Sequence, residues 1–328
     1  MTNRQASIVI PTHQRRASVE RALKSLCRQT APHDSYEVVV SIDGSDDGTA
    51  EMVAGFEAPY RLQAVSHTHS GRAATCNAGI RAARGRLIVL LDDDMEASPE
   101  LVAAHVDAHH ARARRAVVGA APIVVSADAS PLVRYRARGF NGRLARFATS
   151  SRRLSFRETY TGNFSISRKV FLAAGGFDER FTLYGHEDYE LALRLVKADV
   201  ELVYSPAAIA WQHYEKDFAA LARDCIERGH TAALFAAKHP DAAPFLEICG
   251  YKRPSGRRRL VRAALLSMSR MAASTPERVV SIVEWLERRQ PGSLHRCYEL
   301  SLDYFYWLGV TRARAAGHGL GPTEAHAR

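Results

Sequence analysis

Long apolar stretches are absent from this sequence. The longest clean run, residues 232–237, is far short of the roughly 20 residues that span a bilayer, so no transmembrane helix is expected. Cysteine is sparse as well: Cys27, Cys76, Cys225, Cys249 and Cys297 lie far apart, with no Cys-x-x-Cys pair. That spacing argues against both a zinc knuckle and a disulfide framework. The first residues, Met-Thr-Asn-Arg-Gln, run straight into a short apolar strand and lack the apolar core of a secretory signal. A reducing cytoplasm is the expected setting. Apolar residues are not short overall: 46% are hydrophobic and 24% charged, which excludes the composition of a disordered or fibrous chain. With 328 residues the chain can hold one domain of about 220–250 residues with an appendage, or two ordinary domains.

Acidic residues are in deficit, 35 against 45 Lys and Arg, and the deficit is local. Residues 251–328 hold 14 basic and 6 acidic residues, a net +8 out of +10 for the chain. A second run, Arg134, Arg136, Arg138, Arg143, Arg146, Arg152, Arg153 and Arg157, has no acid between its ends. It suits a phosphate-bearing or acidic-membrane partner. The plainer reading is compositional bias, since 39 of the 45 basic residues are Arg, scattered through the chain.

What the sequence does have is alternation. Short β-branched runs at 7–10, 37–42, 62–66 and 87–91 are each followed by a helical pattern, at 19–27, 49–55, 73–83 and 99–111. This predicts a parallel sheet covered by helices. After a strand at 117–125 the pattern loosens through the Arg-rich stretch. It resumes with a strand at 160–167, helices near 168–174 and 187–197, and a strand pair at 201–204 and 209–211 that leads to His213. Beyond 215 the patterns are helical, at 218–238, 257–273, 276–289 and 294–314. Ligands on parallel sheets sit at the carboxyl ends of the strands. That rule directs attention to Pro11-Thr12, Asp43-Gly44-Ser45 and Asp92-Asp93-Asp94.

Three adjacent carboxylates repel one another and are costly to cluster unless a cation neutralises them. Oxygen donors of this kind select hard divalent ions, Mg2+ or Mn2+, which in turn hold phosphate oxygens. A solvated turn is the bland alternative. Leu191, Ala192, Leu195 and Val196 give the 187–197 helix one apolar face and set Glu187 and Asp188 at its N-terminal mouth. A helix N-terminus favours the ionised carboxylate, although acids are ordinary at helix starts.

The order of the motifs adds a resemblance. Val-Ile-Pro-Thr-His-Gln-Arg (9–15), Ser-Ile-Asp-Gly-Ser-Asp-Asp-Gly-Thr (41–49), Ser-Gly-Arg-Ala-Ala-Thr-Cys-Asn-Ala-Gly (70–79), the Asp triplet, and Gly-Gly-Phe-Asp-Glu-Arg-Phe (175–181) followed by Gly-His-Glu-Asp-Tyr-Glu-Leu (185–191) together resemble the family 2 glycosyltransferases of the GT-A fold. The resemblance implies an α/β nucleotide-diphospho-sugar transferase fold with a mostly parallel central sheet. The catalytic domain would span 1–240, with a helical C-terminal extension over 241–328 outside the match. Position by position, it brings Pro11 and Thr12 to the base and ribose and gives Asp43 the hydrogen bond from the base imide. Arg72 lines the nucleotide, although Cys76 stands where the family pattern usually has an Arg directly before the Asn. Within the Asp-x-Asp motif Asp94 is the metal ligand, Asp92 the ribose or metal-water contact, and Asp93 the neighbour facing the sugar. His213 is a second protein ligand, Asp188 the catalytic base, and Glu187, His186 and Asn163 line the acceptor. A lone His and a turn Asn are also common structural residues. His13-Gln14 and Ile42 depart from the more frequent family residues, while Asp43 is retained.

These features lead to the expectation of an inverting, metal-dependent glycosyltransferase. It would use Mn2+ or Mg2+ to move a sugar from a uridine-based nucleoside diphosphate to the hydroxyl of a glycan, lipid-linked or small-molecule acceptor. One rival is a sugar-phosphate nucleotidyltransferase, which needs a Gly-rich phosphate loop near the N-terminus; residues 9–16 contain no Gly. The other is a non-catalytic basic adaptor for membrane or nucleic acid, which would not need Asp43, Asp92, Asp94 and Asp188 together; nucleic acid is not an expected partner. The tail carries Leu260, Leu265, Leu266, Met268, Met271, Ile282, Trp285 and the aromatic run 304–307, and such surface must be covered. It packs on the catalytic domain or a second copy in a homo-oligomer, or it attaches to the cytoplasmic face of an anionic membrane with Arg253, Arg257, Arg258, Arg259 and Arg262 on head groups.

Overall fold

A computed structural model describes residues 5–110, 114–150, 152–246, 256–289 and 294–317; Cys249 and Arg253 lie outside them. Its contacts divide the chain into two compact units. The first gathers residues up to 127, 136–182 and 187–214. Its sheet contains β1 (Ala6–Thr12), β2 (Tyr36–Asp43), β3 (Arg61–His67), β4 (Leu87–Leu91), β5 (Met95–Ala97), β6 (Arg115–Ala120), β7 (Asn163–Ser167) and β8 (Glu201–Gln212). They lie in the order β3-β2-β1-β4-β7-β6-β8-β5. The expected parallel block is present in β3, β2, β1 and β4. Beyond it the sheet is mixed: β7 runs antiparallel to both β4 and β6, β6 and β8 are parallel, and β5 is antiparallel on β8.

Alternation along the strands sorts the core onto two faces. Ile8, Ile10, Val38, Val40, Val89 and Leu91 pack with Val19, Leu23 and Leu26 of α1 (Arg16–Leu26) and with Leu101 and Val102 of α4 (Leu101–His109). Val9, Val39, Ile88 and Leu90 face the other way. They meet Cys76 and Ile80 of α3 (Arg72–Ala82), Phe171 of α6 (Arg168–Ala173), and Leu191 and Leu195 of α7 (Glu187–Lys197). A short α2 (Thr49–Ala54) follows β2. The Arg-rich stretch, which shows little pattern in the sequence, forms α5 (Pro131–Ala148), and its Leu144 and Phe147 join this second face. The strand pair expected at 201–211 is one continuous strand, β8, with a register irregularity opposite Gly119 and Ala120.

Because β1, β2 and β4 are parallel, Thr12, Asp43 and Asp92 reach one edge of the sheet. The antiparallel register Leu91↔Asn163 brings the start of β7 to that same edge.

The second unit comprises residues 128–135, 183–186 and those from 215 on, with α8 (Phe218–Lys238), α9 (Gly256–Met271), α10 (Thr275–Arg289) and α11 (His295–Ala315). Phe218 and Leu221 of α8 share one core with Val279, Val283, Tyr298, Tyr304, Phe305 and Leu308. The sequence boundary near 240 therefore moves to about 214, because α8 packs with the helices that follow it. Where α8 crosses α11, an added Cβ at Gly229 would lie 1.9 Å from the Tyr306 carbonyl oxygen and one at Gly309 1.9 Å from that of Ile226. Only glycine permits this backbone contact. Among the described residues, no helix is long and apolar enough to cross a membrane.

Candidate active site

The Asp triplet follows β4 directly. Asp93 is buried; the Thr12 hydroxyl donates to its Oδ2 at 2.8 Å and Arg15 Nη1 lies 3.2 Å from Oδ1. Burial pushes its carboxyl up to about 6 against the pull of Arg15. Asp94 accepts from Gln212 Nε2 at 3.1 Å through Oδ2. Its Oδ1 is buried without a hydrogen-bond partner among the described residues. Burial, then the charges of Asp92 and Asp93, push its carboxyl up to about 7. An orphaned buried carboxylate oxygen flanked by two acids fits a hard divalent cation, which would satisfy the oxygen and offset the repulsion.

His213 reaches the same place only in part. Its backbone N–H donates to the Asp94 carbonyl at 2.9 Å, but its ring Nε2 lies 3.0 Å from Glu96 Oε2. Among the described residues, Asp92, Asp94 and His213 do not form a cluster of metal-type donors; the group that does is His13, Asp43 and His69.

Arg72, at the first position of α3, connects the triplet to the start of α7. Its Nη2 donates to Asp92 Oδ1 at 2.7 Å, and its Nη1 lies 3.3 Å from Asp188 Oδ1 and 3.5 Å from Glu187 Oε1. Asp188 also accepts from the Thr161 hydroxyl through Oδ1 and from the Thr161 N–H at 3.3 Å through Oδ2. Burial raises the Asp188 carboxyl above the ordinary Asp range in spite of Arg72. The helix N-terminus alone predicts the opposite sign; desolvation outweighs it. Burial, then Asp188, raises Glu187 too, and its Oε2 has no partner among the described residues. Burial that raises a carboxyl's proton affinity makes its ionised form a stronger proton acceptor than an ordinary Asp.

Pro11 and Thr12 end β1 as buried strand residues rather than forming an open loop. The Asp43 carboxylate is buried, accepting from the backbone N–H of Ser70 at 2.7 Å and of Gly71 at 3.0 Å.

Two expected acceptor residues are engaged elsewhere. Asn163 is fully buried; its Nδ2 donates to the Ala120 and Ala208 carbonyls at 2.9 Å each, and its Oδ1 lies 2.8 Å from His105 Nε2. It fastens β7 to β6 and β8, with both amide N–H groups committed inside the sheet. His186 belongs to the second unit, buried with Nδ1 3.0 Å from the Thr231 hydroxyl. Burial drives its ring down to about 3.

Residues 7–177 match the family model "Glycosyl transferase family 2". The chain belongs to that family. A further model, described as the N-terminal domain of galactosyltransferase, matches residues 142–216. The chain is 30% identical to a validoxylamine A glucosyltransferase of Streptomyces hygroscopicus over 73% of its own length and 62% of the relative's. It is 28% identical to a chondroitin synthase of Escherichia coli, over 58% of this chain and 32% of that one. The chain thus spans under two thirds of the length of these curated relatives. Among solved structures it is similar to a mannosyltransferase of Pyrobaculum calidifontis in complex with GDP-Man and Mn2+, with a TM-score of 0.64 at 20% identity, covering 94% of this chain and 87% of the other. That likeness establishes the GT-A fold.

Several residues of this family 2 domain were not singled out by the sequence. Thr161, Arg15, Gln212 and His69 all touch the candidate acids. Thr161 is signalled only by its closeness to Asn163, whose strand register carries it to the sheet edge.

Proposed function

We propose that this chain transfers a sugar from a nucleoside diphosphate to an acceptor hydroxyl with inversion at the anomeric carbon, and that uridine diphosphate is the leaving group. The observation that carries the reading is Arg72, one guanidinium reaching from Asp92 to Asp188. The acid expected beside the donor's phosphates and the acid expected to act on the acceptor therefore lie within one side chain of each other, as a single displacement requires. Asp188 takes the acceptor proton, the acceptor oxygen attacks the anomeric carbon, and the bonding pair leaves with the diphosphate. Asp94 with Asp92 would hold a divalent ion, Mn2+ or Mg2+, which would supply neutralising charge for that leaving group. Asp43 receives the base imide, Pro11 and Thr12 shape the floor below it, and Asp93 faces the sugar. Glu187, with an unsatisfied buried oxygen, binds the acceptor hydroxyl beside Asp188.

The neighbours named above and TarS of S. aureus, solved with UDP-GlcNAc and similar at a TM-score of 0.50 and 15% identity over 95% of this chain and 92% of that one, motivate a donor panel of both UDP and GDP sugars. The second unit exposes Leu260, Met268, Met271, Ile282 and Trp285 among Arg257, Arg259 and Arg270 on α9 and Arg288 and Arg289 on α10. This mixture favours a lipid-linked acceptor reached at an anionic membrane surface. Incubating the protein with the donor panel, with and without Mn2+, tests the reading. Release of a nucleoside diphosphate from one donor, dependent on the metal, is expected. Pyrophosphate release from a nucleoside triphosphate and a sugar phosphate would instead establish the nucleotidyltransferase.

A further inference from the structure

Three imidazoles gather around the carboxylate that ends β2. His67 is its register partner on β3, His69 follows that strand, and His13 follows β1. Nδ1 of His69 lies 2.9 Å from Asp43 Oδ2 and Nδ1 of His67 lies 3.5 Å from Oδ1. The rings of His13 and His69 have centroids 4.5 Å apart. One ring nitrogen from each of these two and one Asp43 oxygen lie within 4.8 Å of one another.

The arrangement is held from behind. The backbone N–H groups of Ser70 and Gly71 fix both Asp43 oxygens, and His13 Nδ1 sits 2.5 Å from the Asp43 carbonyl oxygen. Hydrogen bonds of this kind orient the ligands of metal centres. Gly44 has φ +65°, and a Cβ there would lie 2.8 Å from the His69 backbone nitrogen, so the close approach of His69 depends on the turn after β2. Donors 2.0–2.2 Å from a tetrahedral zinc ion lie on the order of 3.3–3.5 Å apart. The present spacings therefore require only side-chain rotation. Two imidazole nitrogens and one carboxylate select zinc over magnesium or manganese, unlike the all-oxygen Asp triplet.

We propose that His13, Asp43 and His69 form a zinc site at the carboxyl end of β2, and that zinc held there excludes the nucleotide base. The exclusion rests on the reading above that Asp43 receives the base; the site itself does not. Zinc would lock His69 onto the carboxylate that the base must engage, so the protein would have a transition-metal inhibitory site beside its donor site.

Calorimetric titration of Zn2+, and the visible absorption of Co2+, on tag-free, chelator-stripped full-length protein test this. With excess Mg2+ present to occupy the Asp triplet, one ion is expected to bind per chain, weakened ~10-fold or more by His69→Ala and by His13→Ala and unchanged by Asp94→Ala. Absence of binding, or binding indifferent to both His substitutions, would overturn the site. Repeating the Co2+ measurement with saturating UDP or GDP in excess Mg2+ is expected to remove the absorption band. A band that persists under both nucleotides, in protein whose His variants fail to bind, would overturn the exclusion and with it the base-binding role of Asp43, while the zinc site stands.

Discussion

At the scale of single residues, the Asp triplet and the pair Glu187-Asp188 store unfavourable charge. Asp93 and Asp94 are raised to about 6 and about 7 from an ordinary 3.8. The folded state therefore binds more protons than the unfolded state between about pH 4 and 7. These groups favour folding below that window and cost stability as pH rises through it. Buried His105 and His109 act in the opposite sense: burial lowers both from 6.5 to about 4, so their contribution is full above 6.5 and lost as pH falls toward 4. Asp94→Asn separates the two. Its melting temperature relative to the parent should rise between pH 5 and pH 8, while any Mn2+-induced thermal shift disappears; a constant difference across pH would mean that Asp94 carries no buried charge. Thr161→Val removes the hydroxyl that holds Asp188 and should lower kcat by about 10–100-fold with KM for donor little changed, and Thr161→Ser should restore most of it. Asp43, Asp94 and Asp188 were legible in the sequence because strand ends and a helix start announce them. Thr161 was not, since its contact is created by the pairing of β7 with β4. The same pairing buries Asn163, which looks like a ligand contact in the motif and serves as a bolt between strands.

At the scale of elements, periodicity located most helices and the parallel strands to within a few residues. It failed where tertiary contact decides. β5 is three residues long and exists only because β8 is there to pair with it. α5 is rich in Arg, a good helix former, but Gly139, Asn141 and Gly142 interrupt it, and its spaced aromatic and Leu residues read as noise until a sheet face is available to receive Leu144 and Phe147. The crossing of α8 and α11 was invisible, because glycine in a helix interior looks like a weakness. Gly→Ala in a helix ordinarily gains about 1 kcal/mol; here Gly229→Ala and Gly309→Ala should each destabilise the second unit, because the new methyl meets a backbone carbonyl. Thermal unfolding of the whole chain followed by calorimetry checks this. An unchanged or higher melting temperature would show that the helices can move apart freely.

At the scale of the whole molecule, most of the excess charge lies on the part of the sequence that also carries the exposed apolar residues. Co-sedimentation should find the full chain on vesicles containing anionic lipid at low salt and in solution with neutral ones. The binding should weaken as salt rises past the range where the Debye length falls below ~8 Å, and replacing Arg257 and Arg259 by Glu should reduce it. Equal partitioning to both vesicle types would remove the electrostatic component. The central claim, that Asp188 is the base of a single displacement, is tested most directly by comparing Asp188→Asn with the parent under saturating donor and Mn2+, with the product's anomeric configuration read by NMR. The substitution should leave donor affinity unchanged and lower kcat by about 10²–10⁴-fold, and the parent should convert an α-linked donor to a β-linked product. Turnover by Asp188→Asn equal to that of the parent, or an α-linked product, would contradict it.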